Sequence, residues 1–275
     1  MKNKLTWVLF IFVAFTLVSC CKGRKSNIEK TSDLQGKVIG MIALPLPAKT
    51  LEDSVASAIG GPPREVKSFK RASDCLMAVL TGKVDAVFLP KFKAEYDVKR
   101  QSKLKIIPMI QPLKMNVVMA VRSEDEQFKN DLDKAITTLQ ENGTLKRLED
   151  EWVTNLSTAS GPVSKEIPKL AGAKTVYVGV CGDIVPLDFI AADGRPAGYN
   201  VALMNEIGKL LNTNFVFVSI ETQAKYAALN SKKIDVVFCN LDADIPALHS
   251  LKNRTWVATR PYYTTADGLC FLVRK

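Results

Sequence analysis

The chain has 275 residues, 47% of them hydrophobic, and its 38 Lys and Arg exceed its 28 Asp and Glu to give a net charge of +10. This is enough material for one large core or two lobes. The basic residues are scattered along the chain, which argues against a nucleic-acid partner. The single histidine and the lack of a CxxC pair argue against a metal site, and no cofactor is expected.

The first segment predicts export. Two lysines precede an apolar stretch over residues 5–18, which is typical of the h-region of a signal peptide and short for a membrane span. It ends in Leu-Val-Ser-Cys, which resembles the bacterial lipobox. We therefore predict a lipoprotein signal peptide over residues 1–19, lipidation of Cys20, a tether over residues 20–35 and a periplasmic location at the cell envelope. An ordinary signal peptide or an N-terminal anchor helix is the alternative.

The next part of the chain alternates predicted strands and helices, which is typical of an α/β lobe with a mainly parallel sheet. Residues 36–115 form this N-terminal lobe, with strands over 37–42, 65–69, 84–89 and 105–109 and helices around 51–58 and over 73–80. Ser73 is the predicted N-cap of the second helix. Residues 116–153 are predicted to supply a return strand and two amphipathic helices that pack on the other lobe.

The alternation of predicted strands and helices then begins again in the second half of the chain. Residues 154–174, rich in Ser, Pro, Gly and Ala, are the predicted linker, and residues 175–275 form the C-terminal lobe. Residues 83–88 read Lys-Val-Asp-Ala-Val-Phe and residues 233–238 read Lys-Ile-Asp-Val-Val-Phe. Each run follows a helical segment and a short polar turn, so we expect equivalent buried strands in two similar lobes.

These motifs resemble bacterial extracellular solute-binding proteins of family 3. Val-Gly-Val at 178–180, Pro-Leu-Asp-Phe at 186–189 and Asp-Gly-Arg-Pro-Ala-Gly-Tyr-Asn-Val at 193–201 look like the start of the family's first lobe. Residues 34–40, 82–87 and 142–152 are similar to parts of its second lobe. The resemblance implies the type II periplasmic-binding fold, an α/β fold in which two lobes enclose a ligand.

The lobes occur in the opposite order from the family. A circular permutation, with residues 154–173 bridging the usual termini, is the simplest account, and it predicts a monomer. A dimer that exchanges halves is the alternative. The permuted chain is expected to cross between the lobes once, near residues 112–117, where the family crosses twice.

Candidate ligand contacts lie beyond the carboxyl ends of the strands, where open α/β sheets bind ligands. They are Ile42, Pro90, Cys181, Asp183, Ile184, Asn240, Asp242 and Arg254. The resemblance makes Arg254 a candidate clamp for a ligand carboxylate. Pro90 and Cys181 stand where amino-acid binders of the family have acidic residues, so the standard amino-acid site is not preserved.

The predicted function is capture of an unidentified small molecule, for transport with an ABC permease as partner. A ligand-sensing or partner-docking envelope lipoprotein is the alternative. A dehydratase-like enzyme is a third hypothesis. The carboxylates of Asp183, Asp188 and Asp242 have no paired base, nucleophile or metal set, so no catalytic residue and no enzyme activity is predicted.

Overall fold

The computed structural model describes residues 27–44, 46–155, 169–243 and 255–275, with residues 239–243 described by their backbone only. The predicted signal peptide, Cys20 and Arg254 lie outside the described residues. No helix within these ranges is both long enough and apolar enough to span a bilayer.

The N-terminal lobe is built on a five-stranded sheet. In chain order its elements are β1 (Val38–Ile42), α1 (Ala48–Ile59), β2 (Glu65–Phe69), α2 (Ala72–Thr81), β3 (Ala86–Pro90), α3 (Lys91–Arg100) and β4 (Leu104–Pro108). The strand order is β2-β1-β3-β14-β4, where β14 (Leu269–Arg274) is the last strand of the chain. The first three strands are parallel, and β14 is antiparallel to both neighbours.

Alternation along β1 explains how helices cover both faces of this sheet. Ile39 and Met41 pack in one core cluster with Leu51, Val55 and Ile59, which share one face of α1. Val38 packs in a second cluster with α2. Because successive side chains of a strand point to opposite faces, one buried strand serves both helices.

The C-terminal lobe has a second sheet and a small hairpin sheet. Its elements are β5 (Met115–Arg122), α4 (Glu126–Glu141), α5 (Thr144–Glu149), a π-helical turn (Asp150–Thr154), β6 (Lys174–Val180), β7 (Asp183–Ile184), β8 (Asp188–Ile190), β9 (Pro196–Ala197), α6 (Tyr199–Leu211), β10 (Thr213–Ser219), a 3-10 turn (Thr222–Ala224), α7 (Lys225–Asn230), β11 (Val236–Ala243), β12 (Trp256–Ala258) and β13 (Tyr263–Thr265). The main sheet has the order β10-β6-β11-β5-β12, with β13 also paired to β5. Two α/β lobes, each with helices flanking a sheet, confirm the predicted fold class.

The chain crosses between the lobes twice, and the prediction of a single crossing is wrong. It passes to the C-terminal lobe between β4 and β5, and it returns between β13 and β14. The last strand, assigned with residues 175–275 to the C-terminal lobe, therefore belongs to the sheet of the N-terminal lobe. The apolar pattern of β14 shows that the strand is buried, but it carries no information about which sheet contains it.

The predicted tether is also wrong over its last residues. A 3-10 turn at Thr31–Leu34 precedes β1, and Ile28 and Leu34 are buried in the core cluster that contains α1. The Asp33 carboxylate accepts the backbone N–H groups of Glu29 at 2.9 Å and Lys30 at 3.1 Å. Two apolar side chains among polar neighbours are thus enough to fix this segment on the N-terminal lobe.

The repeated element makes equivalent bonds in both lobes. Asp85 accepts the backbone N–H of Val38 at 2.9 Å, and Asp235 accepts that of Tyr177 at 2.9 Å. In each lobe the aspartate precedes one strand, β3 or β11, and bonds to the parallel strand beside it, β1 or β6. The two aspartates therefore fix strand register, and neither is available as a ligand contact.

Each crossing strand ends in an arginine that binds the helix–turn–strand unit of its lobe. Arg122, at the end of β5, donates from Nη1 to the carbonyls of Leu229 at 3.2 Å and Ile234 at 2.8 Å, and from Nη2 to Asp235 at 2.9 Å. Arg274, at the end of β14, donates from Nη1 to the carbonyl groups of Val79 and Val84. The two lobes thus repeat one design, with each half of the chain supplying its last strand to the other lobe.

Candidate ligand cleft between the lobes

Residues that follow parallel strands of the two lobes meet across a cleft. Lys70 follows β2 and pairs with Glu221, which follows β10, at 3.6 Å. Arg71 and Ala72 contact Asp183, which lies just after β6. The carboxyl ends of both sheets therefore face this cleft, as the position of ligand sites in open α/β sheets leads us to expect.

The Asp183 carboxylate contacts three residues of the N-terminal lobe. Its Oδ2 atom accepts the backbone N–H of Ala72 at 2.7 Å and that of Ser73 at 3.4 Å, and it lies 3.6 Å from Nε of Arg71. The Asp183 side chain is 13% exposed. Arg71, not Ser73, occupies the N-cap position of α2, so the predicted N-cap was wrong by two residues.

A buried polar network holds the backbone next to Asp183. Gly182 has a φ of 78°, a conformation that favours glycine, and its N–H donates to Asp188 at 2.8 Å. The other Asp188 oxygen accepts from the Asn200 amide at 3.3 Å, and the Asn200 oxygen accepts from the hydroxyl of Tyr262 at 2.8 Å. Asp188 is fully buried, so this carboxylate stabilises the loop and does not reach a ligand.

A cavity of about 440 Å³ lies beside the Asp183 contact and has walls from both lobes. One wall, from α2 and α3, carries Arg71, Lys93, Asp97 and Arg100, and the opposite wall is formed largely by the apolar side chains Val185, Phe189, Ile190, Ala191 and Ala192. Of the predicted ligand contacts whose side chains the structure describes, Asp183 alone lines this cavity. A charged wall facing an apolar wall suits a small molecule that has both a charged group and a hydrocarbon part.

Lys93 and Asp97 form a buried ion pair in the charged wall of this cavity. Nζ of Lys93 donates to Oδ1 of Asp97, and the two side chains are 6% and 4% exposed. Burial raises the pKa of the Asp97 carboxyl, and the nearby Lys93 ammonium opposes that rise. Sequence reasoning missed the pair. Its only signal was the spacing of four residues on one helix, which usually marks an exposed pair.

The remaining predicted contacts lie elsewhere around the cleft. Cys181 is half-buried, and its Sγ accepts from the Thr222 hydroxyl at 3.4 Å. Ile184 is buried in the large core cluster of the C-terminal lobe. Ile42 ends β1, and Pro90 ends β3 at the N-cap position of α3.

Asn240 and Asp242 do not follow a strand, as the sequence predicted, but lie within one. Their backbones pair with Val118 and Asn116 of β5. The antiparallel partner strand extends β11 to Ala243, five residues beyond the predicted end at Phe238. Residues 239–243 therefore belong to a strand and not to the loop expected at this edge of the cleft.

No three His, Cys, Asp or Glu side chains come together as a metal site in the part of the chain that the structure describes. Cys75, Cys181 and Cys270 are free thiols, and burial raises the pKa of each of them. Cys75 and Cys270 are packed in the core between α2 and the sheet, as small apolar residues would be.

Cys75 and Cys270 should resist alkylation in the folded protein. Burial raises the pKa of both thiols to about 12, so their thiolate fraction at pH 8 is roughly a thousandfold below that of an exposed cysteine, and access is blocked as well. Peptide mass mapping after iodoacetamide treatment, with and without urea, measures this. Rapid labelling of either residue without urea would contradict the packing described here.

Two family sequence models match parts of the chain. Residues 176–244 match the sequence model of bacterial extracellular solute-binding proteins, family 3. The resemblance expected from the motifs at 178–201 is thereby confirmed for this segment. The NMT1/THI5-like sequence model matches residues 11–110. No curated protein sequence shows a significant match.

Solved structures of low sequence identity also match. The zinc-bound ligand-binding component of an ABC-type import system from Staphylococcus aureus is 13% identical, with a TM-score of 0.45, over 87% of this chain and 66% of that one. An ancestral arginine-binding protein bound to arginine is 14% identical, with a TM-score of 0.41, over 88% of this chain and 86% of that one. A putative methionine-binding lipoprotein from Bacillus subtilis is 13% identical, with a TM-score of 0.37, over 87% and 83%.

Proposed function

We propose that this protein is an extracytoplasmic solute-binding protein that captures a small molecule between its lobes and presents it to an ABC permease. The observation that carries the proposal is the cavity of about 440 Å³ with walls from both lobes, at the carboxyl ends of parallel strands. Its size lies in the range of small-molecule sites. The family 3 match over residues 176–244 supports the same function.

The chemistry of the cavity supports a ligand with one charged group and an apolar body. Arg71 and Arg100 bring positive charge to one wall, while Phe189 and Ile190 bring apolar surface to the other. An organic acid with a short hydrocarbon part fits this arrangement better than a polar amino acid. The resemblance puts Pro90 where amino-acid binders of the family have an acidic residue that pairs with the ligand ammonium, and Cys181 where they have an aspartate.

A circularly permuted monomer is part of the proposal. Ile39 near the start of the first lobe and Val273 near the end of the chain both pair with Ala86, on opposite sides of β3. Ile39 and Val273 are therefore two strand spacings apart, which is about 10 Å. Ends this close support a permuted chain, because a short connection between them would restore the family order. Lipidation at Cys20 would place the anchor on the N-terminal lobe.

A ligand screen on the mature, non-lipidated chain tests the proposed function. We expect at least one organic acid or related anion to raise the melting temperature and to bind in calorimetry with micromolar affinity. Leu76→Trp would fill the cavity and lower that affinity at least tenfold. Met77→Trp is the matched control, because Met77 is the next residue of α2, is 56% exposed and does not line the cavity.

Two results would count against this function. The first is a broad panel of acids, amines, amino acids and peptides in which nothing shifts the melting temperature, which would favour a partner-docking protein. The second is a ligand whose affinity is the same for Leu76→Trp and Met77→Trp, which would place binding outside the cavity.

A further inference from the structure

The helix α2 of the N-terminal lobe receives its cap from the other lobe. Its own N-cap residue, Arg71, makes no capping hydrogen bond through its side chain. The free N–H groups of the first turn bond to Asp183, a residue 111 positions away in the chain. A carboxylate is well suited to this role, because the first turn of a helix has unpaired N–H groups and a partial positive charge.

This contact is stronger than the ion pair that Lys70 and Glu221 form across the cleft. Lys70 and Glu221 are 70% and 61% exposed at 3.6 Å, and exposed ion pairs of this kind contribute little. Asp183 is largely buried and accepts a charge-assisted bond of 2.7 Å from Ala72. The bond exists only while the lobes are together, so its whole free energy favours the closed arrangement.

The Asp183 loop is also rigid. The bond from Gly182 to the buried Asp188 fixes the backbone immediately before Asp183. The carboxylate therefore needs little ordering to reach α2, and less of the bond energy is lost as side-chain and loop entropy.

We propose that Asp183 is an intramolecular latch that holds the two lobes closed without a ligand. Opening the cleft requires breaking the bonds from Asp183 to Ala72 and Ser73 and exposing the first turn of α2. The latch lowers the population of open molecules, so it slows the association of any solute that can enter only through the open form. The latch concerns the ligand-free chain, so its test does not depend on the proposed function.

Distance measurement between the lobes tests the latch. Dyes attached through p-acetylphenylalanine at positions 49 and 209, both exposed and on different lobes, report opening by single-molecule FRET. In Asp183→Asn without ligand we expect the ratio of closed to open molecules to fall about tenfold. Asp131→Asn is the control, because Asp131 belongs to the same lobe and accepts a solvent-exposed hydrogen bond from Gln127 of its own helix.

A second variant removes the donor and not the acceptor. Ala72→Pro deletes the N–H that bonds to Asp183, and proline is tolerated at the first helical position when the preceding residue is extended, as Arg71 is with a φ of −128° and a ψ of 149°. Both variants should open the cleft to a similar extent, and the double variant should open it no further. Closed lobes in Asp183→Asn, or opening in that variant but not in Ala72→Pro, would overturn the latch.

Discussion

Replacement of Arg122 by methionine is expected to lower the free energy of unfolding by about 3 kcal/mol. The guanidinium is 11% exposed and bonds to two backbone carbonyls and to Asp235. Methionine keeps the apolar stem but leaves the carbonyls of Leu229 and Ile234 without this donor, and it leaves the Asp235 carboxylate without its cation. Urea denaturation followed by tryptophan fluorescence measures the change.

The equivalent arginine of the other lobe provides the comparison. Arg274→Met should lower the free energy of unfolding by about 2 kcal/mol, because the guanidinium of Arg274 donates to the carbonyls of Val79 and Val84. Arg147→Met is the control, since Arg147 is 56% exposed and its ion pairs are weak, and it should change stability by less than about 0.5 kcal/mol. If Arg122→Met is no more harmful than Arg147→Met, the proposed role of the crossing-strand arginines is wrong.

The repeat at residues 83–88 and 233–238 was the part of the fold that sequence could predict best. Buried strands produce continuous apolar runs, and a run that recurs after the same kind of turn indicates equivalent strands. The hydrogen bonds of Asp85 and Asp235 could not be predicted. Each carboxylate accepts from the backbone N–H of a strand that is distant in the chain. Both crossing strands end in Val-Arg, at 121–122 and 273–274, and this second repeat was a missed signal for their equivalence.

The candidate site was harder to predict because its contacts are between lobes. Ser73 had the side chain of an N-cap, and local reasoning therefore assigned the cap to it, but the helix takes its cap from Asp183 across the cleft. Lys93 and Asp97 have a spacing that usually marks an exposed pair on one helix, and nothing in the sequence shows that they are buried. Asp183 was predicted at the cleft, but as a ligand contact and not as a bond between lobes.

Substitution of Gly268 by alanine is expected to lower the free energy of unfolding by about 3 kcal/mol. Gly268 lies in the segment that returns to the N-terminal lobe, and its N–H donates to Leu113 of the other crossing segment at 2.8 Å. A Cβ at Gly268 would lie 2.2 Å from Cβ of Met115, the first residue of β5. Both atoms are fixed to backbone, so no side-chain rotation relieves the clash and the two crossings must separate.

A double-mutant cycle shows whether this close approach is the cause. Gly268→Ala should lower the free energy of unfolding much less in a Met115→Gly background, which lacks the opposing Cβ. In a Met115→Ala background, which keeps that Cβ, the full loss of stability should remain. Gly61→Ala is the control, because the nearest atoms there belong to the flexible end of the Gln35 side chain, and we expect a change below about 0.5 kcal/mol. Equal costs in the two Met115 backgrounds would contradict the contact. A reduced cost with glycine would show that the two crossings are packed against each other at this point.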